Sequence, residues 1–138
     1  MASELRVNTL KDASGNNSIG LSYVAEGSAK CWVQFEGSSL SGTGTTGVND
    51  SFNLTSMTDD GTGRYTTNIN SDMNNDDYSV NSTIGQSASS IGDYITNIAT
   101  IAPGSFQTGS QTRSGNAADS ALNSVLVHGD LAWVKQQI

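Results

Sequence analysis

The chain is poor in the residues on which most protein chemistry depends. Its 138 residues hold one cysteine (Cys31), one histidine (His128) and one proline (Pro103). A single cysteine excludes an intramolecular disulfide and fits a reducing compartment. Charge is scarce too: Asp, Glu, Lys and Arg make up 14% of the chain, against roughly 25% in an average soluble domain. The six Lys and Arg stand singly among thirteen acids, for a net charge of −7. That balance cannot build the positive groove that nucleic acid requires, and it opposes docking on an anionic membrane surface. No apolar run approaches the roughly 18 residues of a spanning helix, and "MASELRVN" carries no charged-then-apolar leader. The expectation is a soluble product that neither binds nucleic acid nor inserts into membrane.

Hydroxyls and amides fill the space left by charge. Ser, Thr, Asn and Gly account for 63 residues, whereas Val, Ile, Leu, Met, Phe, Trp and Tyr account for 36. The core must be thin. Disordered segments combine low hydrophobicity with high charge and few aromatics, but here nine aromatics sit inside alternating patterns. An ordered, polar-surfaced β protein of one domain is the reading that fits.

Period-2 alternation recurs along the chain. In "AKCWVQFEG", residues 29–37, Cys31, Val33 and Phe35 fall on one face and Trp32 and Gln34 on the other, the pattern of a strand. "SSLSGTGTTGVND" follows as a polar loop. The stretch 51–73 reads as a two-stranded ribbon, with Phe52, Leu54 and Met57 before a turn at Asp59, Asp60 and Gly61, and Tyr65 and Ile69 after it. "YSVNSTIG" resumes the alternation, and "IGDYITNIATI" reads as a strand through its β-branched content. Residues 104–116 are polar enough for an exposed loop or irregular edge strand, and 122–134 closes the chain with a strand. Short strands between turn signals predict an all-β fold, an antiparallel β-sandwich or jelly-roll-like domain over residues 28–138. Phe35, Phe52, Leu54, Tyr65, Ile69, Val80 and Val127 are its expected buried residues.

Residues 1–27 read differently. Leu5, Val7 and Leu10 precede an Asn/Ser/Gly turn, and Ile19, Leu21 and Tyr23 follow it, with both flanks expected to be extended. Six apolar side chains are too few for an independent unit, since an isolated hairpin is marginal in water. The segment is expected to be an attachment or assembly arm that buries these six residues against a neighbour.

Candidate chemistry is thin. A Cys31/His128 nucleophile pair is conceivable, but a free cysteine on an alternating strand usually serves as a small core residue. Asp59/Asp60 and Asp76/Asp77 match no calcium-loop spacing, and nothing fixes the separation that a glycosidase carboxylate pair needs. Adjacent acids at hairpin tips are commonly turn formers, so Asp59, Asp60 and Arg64 are expected in an exposed turn. No catalytic residue, metal ligand or cofactor is expected.

The order of the pieces "ELRVNTLKDASGNNSI", "GSAKCWVQFEG", "DSFNLTSMTDDGTGRYTTNINSDM" and "DDYSV" resembles a module of tailed bacteriophages, especially marine and cyanobacterial ones, found in tail-fibre and other virion surface proteins. The similarity is densest from Glu4 to about Val80. Cys31, Gln34, Asp60 and Arg64 stand where the family motifs carry Ala, Asn, Asn and Asp, and "MNNDDY" lacks a family proline before Tyr78. The resemblance implies a β-rich virion component; the scarcity of catalytic residues adds the expectation that it is non-enzymatic, and the absence of a leader that it is made in the host cytoplasm. The resemblance also implies a homotrimer that contacts other virion proteins, a tail adaptor or the capsid. A short tail fibre or fibre-tip domain touching a host surface glycan is the leading expectation, with a capsid decoration or knob protein as the alternative and a fibre-borne glycan hydrolase as the second. On the fibre reading, the polar loops 38–50, 59–64 and 104–116 would include the receptor-facing surface.

Overall fold

A computed structural model describes residues 6–85 and 94–132. The chain begins with two short strands, β1 (Thr9–Lys11) and β2 (Ser18–Gly20), paired as a hairpin and followed by a helix, α1 (Leu21–Gly27). Nine strands follow: β3 (Cys31–Phe35), β4 (Thr43–Gly44), β5 (Val48–Phe52), β6 (Leu54–Asp59), β7 (Arg64–Ile69), β8 (Ser79–Gly85), β9 (Tyr94–Ala102), β10 (Ser105–Thr112) and β11 (Leu122–His128). They form two antiparallel sheets, one in the order β4-β6-β7-β10-β9 and the other β5-β3-β11-β8. The all-β antiparallel class expected from the alternation is the class observed.

The two sheets share one core. Alternation on β3 points Cys31, Val33 and Phe35 inward, where Val125 and Val127 of β11 join them. The other sheet contributes Met57, Tyr65, Ile69 and Phe106. Phe35 meets Tyr65 edge to face at 5.1 Å, and Tyr78 meets Phe106 in the same way at 6.4 Å. Such pairs add roughly 0.5–1.5 kcal/mol each beyond the area they bury. Every buried apolar residue of the core lies between Cys31 and Val127. Where large apolar residues run out, small polar ones take inward positions: Thr67, Thr108, Ser110, Ser120 and Asn123 are all buried. Ser120 Oγ donates to Asn123 Oδ1 at 2.7 Å, whereas the hydroxyls of Thr108 and Ser110 have no partner among the described residues.

Of the residues expected to be buried, Phe35, Tyr65, Ile69 and Val127 are buried, and Leu54 and Val80 are half-buried against the core. Phe52 is not: it is 54% exposed. The ribbon expected over 51–73 is broken at Asn53, which adopts a left-handed backbone (φ 57°) and carries the chain from one sheet to the other. In a continuous strand Phe52 and Leu54 would share a face. The corner between them leaves Leu54 against the core and Phe52 on the outer surface, paired opposite Trp32. Asn53 holds the corner with its side chain, donating to the carbonyls of Lys30 (2.9 Å) and Ser71 (3.1 Å) and accepting from the Ser71 amide (2.8 Å).

Three other expectations need correction. Residues 105–112 are not an exposed loop or an edge: they form β10, which lies between β7 and β9 and buries Phe106, Thr108 and Ser110; only the turn at 113–116 is exposed as expected. The polarity of β10 misleads because hydroxyls occupy the inward positions. The loop over 38–50 is shorter than expected, holding a 3₁₀ turn (Gly37–Ser39), buried Leu40, β4 and most of β5. In the arm, the residues after the turn are extended only to Gly20, and Leu21 and Tyr23 are helical. Strand β9 is present over the part of 91–101 that is described, with a bulge at Ala99 opposite Gln107 and Thr108, so that Ile98 and Ile101 both reach partly inward while Ile95 stays exposed.

Candidate functional site

Loops gather at one end of the two sheets. The β6–β7 turn closes through Asp60 N to Arg64 O (3.0 Å) and Arg64 N to Gly61 O (2.9 Å), while the Asp59 carboxylate accepts from the Gly61 amide at 2.9 Å. Asp60 folds its carboxylate onto the sheet, accepting from Thr66 Oγ1 and from Gln107 Nε2 (3.0 Å). Gly63 anchors the turn. Its amide donates to Asp119 Oδ1 at 2.7 Å, its carbonyl accepts from the Ser110 amide at 2.7 Å, and the Tyr65 hydroxyl reaches the same Asp119 oxygen at 3.0 Å. Burial, reinforced by that carboxylate, raises the Tyr65 phenol well above its ordinary range. Gly37 N bonds Ser120 O at 2.9 Å, which brings the 36–47 segment to the same end. Asp60 and Arg64 are exposed and Asp59 is half-buried. The acids of this turn are therefore engaged in holding its shape. Among the described residues no three His, Cys, Asp or Glu side chains are grouped to hold a metal ion.

The sheet separates the two residues of the conceivable nucleophile pair. Cys31 pairs directly with Val127, so His128, one residue on, points to the opposite face. Cys31 is fully buried and burial pushes its thiol up to about 11, away from the reactive thiolate. It packs in the core as the alternation indicated.

The outer faces of the two sheets differ in chemistry. On the five-stranded sheet the outward polar groups of β4, β6 and β7 bond one another: Asn68 Nδ2 to Ser56 Oγ (3.0 Å) and Thr58 Oγ1 (3.2 Å), Thr58 Oγ1 with Thr43 Oγ1 (3.0 Å), and Asp60 as above. On the four-stranded sheet the register aligns Phe52, Trp32, Leu126 and Asn81 in one row across β5, β3, β11 and β8. A second row, Asp50, Gln34, Ser124 and Thr83, lies beside it. A groove of about 510 Å³ runs between these side chains, Phe52 excepted, with Trp32, Gln34, Asp50 and Thr83 among its lining. Sequence reasoning placed Trp32 opposite the core face of β3 but missed the row it belongs to. The clue available was that Cys31, Val33 and Phe35 already filled the inner face.

At the other end of the sheets, Lys30 Nζ reaches the carbonyl of Ala25 in α1 and that of Ser28 (2.7 Å), which ties the helix to the strand that follows. Ala25, Lys30, Phe52, Asn53, Asp130 and Leu131 border a groove of about 540 Å³ there. Leu10, Ile19 and Val24 are exposed, Tyr23 is 74% exposed, and Val7 and Leu21 are half-buried; Leu5 lies outside the described residues. No helix among the described residues is long and apolar enough to cross a membrane. No protein-family model matches the chain, and neither does any curated protein or solved structure.

Proposed function

We propose that the chain is a non-enzymatic structural protein of a tailed-phage particle, a short tail fibre or fibre-tip domain that meets the host surface and assembles as a homotrimer through its first 27 residues. The observation that carries this reading is the polarity of the molecule. A hairpin and helix with exposed Leu10, Ile19, Tyr23 and Val24 stand at one end, and the loop cluster around Asp60, Arg64 and Asp119 stands at the other. A part that joins an assembly at one end and presents polar loops at the other suits a fibre tip. The order of sequence motifs up to about Val80 supports it independently.

Burying each large arm side chain against a neighbour is worth roughly 1.5–3 kcal/mol before ordering costs, enough to drive closed association. None of the core's buried apolar residues belongs to the arm, so deleting residues 1–27 tests the division of labour. The shortened chain should keep its thermal unfolding transition, run as a monomer in solution and fail to enter particles. Trimers that form and incorporate without the arm would contradict the proposal.

A further inference from the structure

We propose that the outer face of the four-stranded sheet is a binding site for a neutral oligosaccharide, centred on Trp32. The inference rests on the reading of a protein that meets a host surface and names the chemistry of that contact. Four strands at ~4.8 Å spacing carry the two aligned rows over about 14 Å, and successive outward residues along each strand stand about 7 Å apart. The first row offers an indole, a phenyl ring and a leucine. The second offers a carboxylate, an amide and two hydroxyls, and Asn81 ends the first row with another amide.

The polar groups are unengaged. Among the described residues, the side chains of Gln34, Asn81, Thr83 and Ser124 make no hydrogen bond within the chain, and Asp50 accepts only from its neighbour's amide, Ser51 N at 2.8 Å. On the outer face of the other sheet the hydroxyls and amides of β6, β7 and Gln107 are bonded internally, whereas Asn97, Thr100 and Gln111 on its β9 and β10 side are not. An aromatic face flanked by free donors and acceptors fits a pyranose ring. The ring's C–H face is apolar and lies against an aromatic surface, while the hydroxyls around its edge need acceptors such as Asp50 and amides that both donate and accept. The groove between the rows gives the concavity that a small ligand needs.

Charge selects the kind of sugar. The outward positions of β5, β3, β11 and β8 carry one carboxylate, Asp50, one histidine, His128 at the far end of β11, and no Lys or Arg, on a chain of net charge −7. An anionic glycan would meet repulsion with no Lys or Arg to offset it. A neutral glycan meets none.

The test is titration of the purified full-length chain with soluble neutral gluco-, galacto- and manno-oligosaccharides, and with oligosialic acid as the anionic counterpart, followed by calorimetry. At least one neutral series should bind, Trp32→Ala and Asp50→Ala should each weaken it by about tenfold or more, and Ile95→Ala, an exposed residue on β9 of the other sheet, should leave it unchanged. Circular dichroism checks that each variant is folded, and Asp50, being exposed, gives a variant with little risk to the core. The proposal fails if no neutral oligosaccharide binds more tightly than roughly 10 mM, if binding survives both substitutions in folded protein, or if oligosialic acid is preferred. Self-association that Trp32→Ala abolishes, without sugar binding, would assign the face to a second copy and equally overturn it. None of these results depends on where the chain sits on a particle, so this site and the virion reading can fail separately.

Discussion

Replacing Asn53 tests how the two sheets are joined. The residue does two jobs: it takes a left-handed backbone at φ 57°, and its side chain bonds Lys30 O, Ser71 O and Ser71 N at 2.9, 3.1 and 2.8 Å. These bonds are partly exposed, so each is worth about 0.5–1 kcal/mol, together about 2 kcal/mol. A left-handed alanine costs roughly 1 kcal/mol or more beyond that, since Asn tolerates the conformation and Ala does not. Asn53→Ala should therefore lose about 3 kcal/mol and Asn53→Gly, which keeps the backbone but not the bonds, about 2 kcal/mol. At roughly 3–5 °C per kcal/mol for a chain of this size, the alanine variant should melt on the order of 10 °C lower. Urea unfolding with both variants separates the contributions: the loss common to the two reports the side-chain bonds, and the excess in alanine reports the backbone. If both variants stay within ~0.5 kcal/mol of the parent, Asn53 does not hold the corner.

Other outcomes follow from the same packing. Thr108→Val removes a buried hydroxyl without a partner and keeps its shape, so the urea midpoint should rise by the equivalent of about 1 kcal/mol; a fall would reveal a partner such as buried water. At Gly63 (φ +65°) an added Cβ would lie 2.2 Å from the Ser110 carbonyl oxygen, whereas at Gly61 (φ +109°) it would meet nothing. Gly63→Ala should then cost about 2 kcal/mol more than Gly61→Ala in thermal or chemical unfolding, and equal losses would refute the close approach. Burial raises Cys31 from 9.0 to about 11 and Tyr78 from 10.0 to about 12, so the folded state favours their neutral forms. Their contribution to stability is complete below pH 9 and is lost as pH rises through 12; Cys31→Ala should shift the onset of alkaline unfolding upward, and an unchanged profile would show that the thiol plays no part.

Alternation made the strands legible where one face is apolar and the other polar. β3 is the clearest case, since Cys31, Val33 and Phe35 could only face a core. The β6–β7 hairpin was legible from its Asp-Asp-Gly turn. The sequence was opaque wherever the fold used polar residues inside. β10 looks like a loop because Thr108 and Ser110 occupy core positions, and period-2 hydrophobicity does not register a buried hydroxyl. It was opaque again at Asn53, where one left-handed residue reverses the facing of everything before it, and at α1, seven residues that contain Gly27, a β-branched Val24 and no side-chain cap. The Trp32 row was hidden for a different reason. Its members come from four separate strands, and only strand order places Phe52 and Leu126 on either side of Trp32.

The central claim is that this chain is a tail component of a phage particle, and locating it there tests the claim most directly. If the proposed reading holds, phage particles that contain the chain, labelled with an antibody to it and imaged by electron microscopy, should carry the label at the tail fibres. Label confined to the capsid, or none on intact particles, would contradict the account.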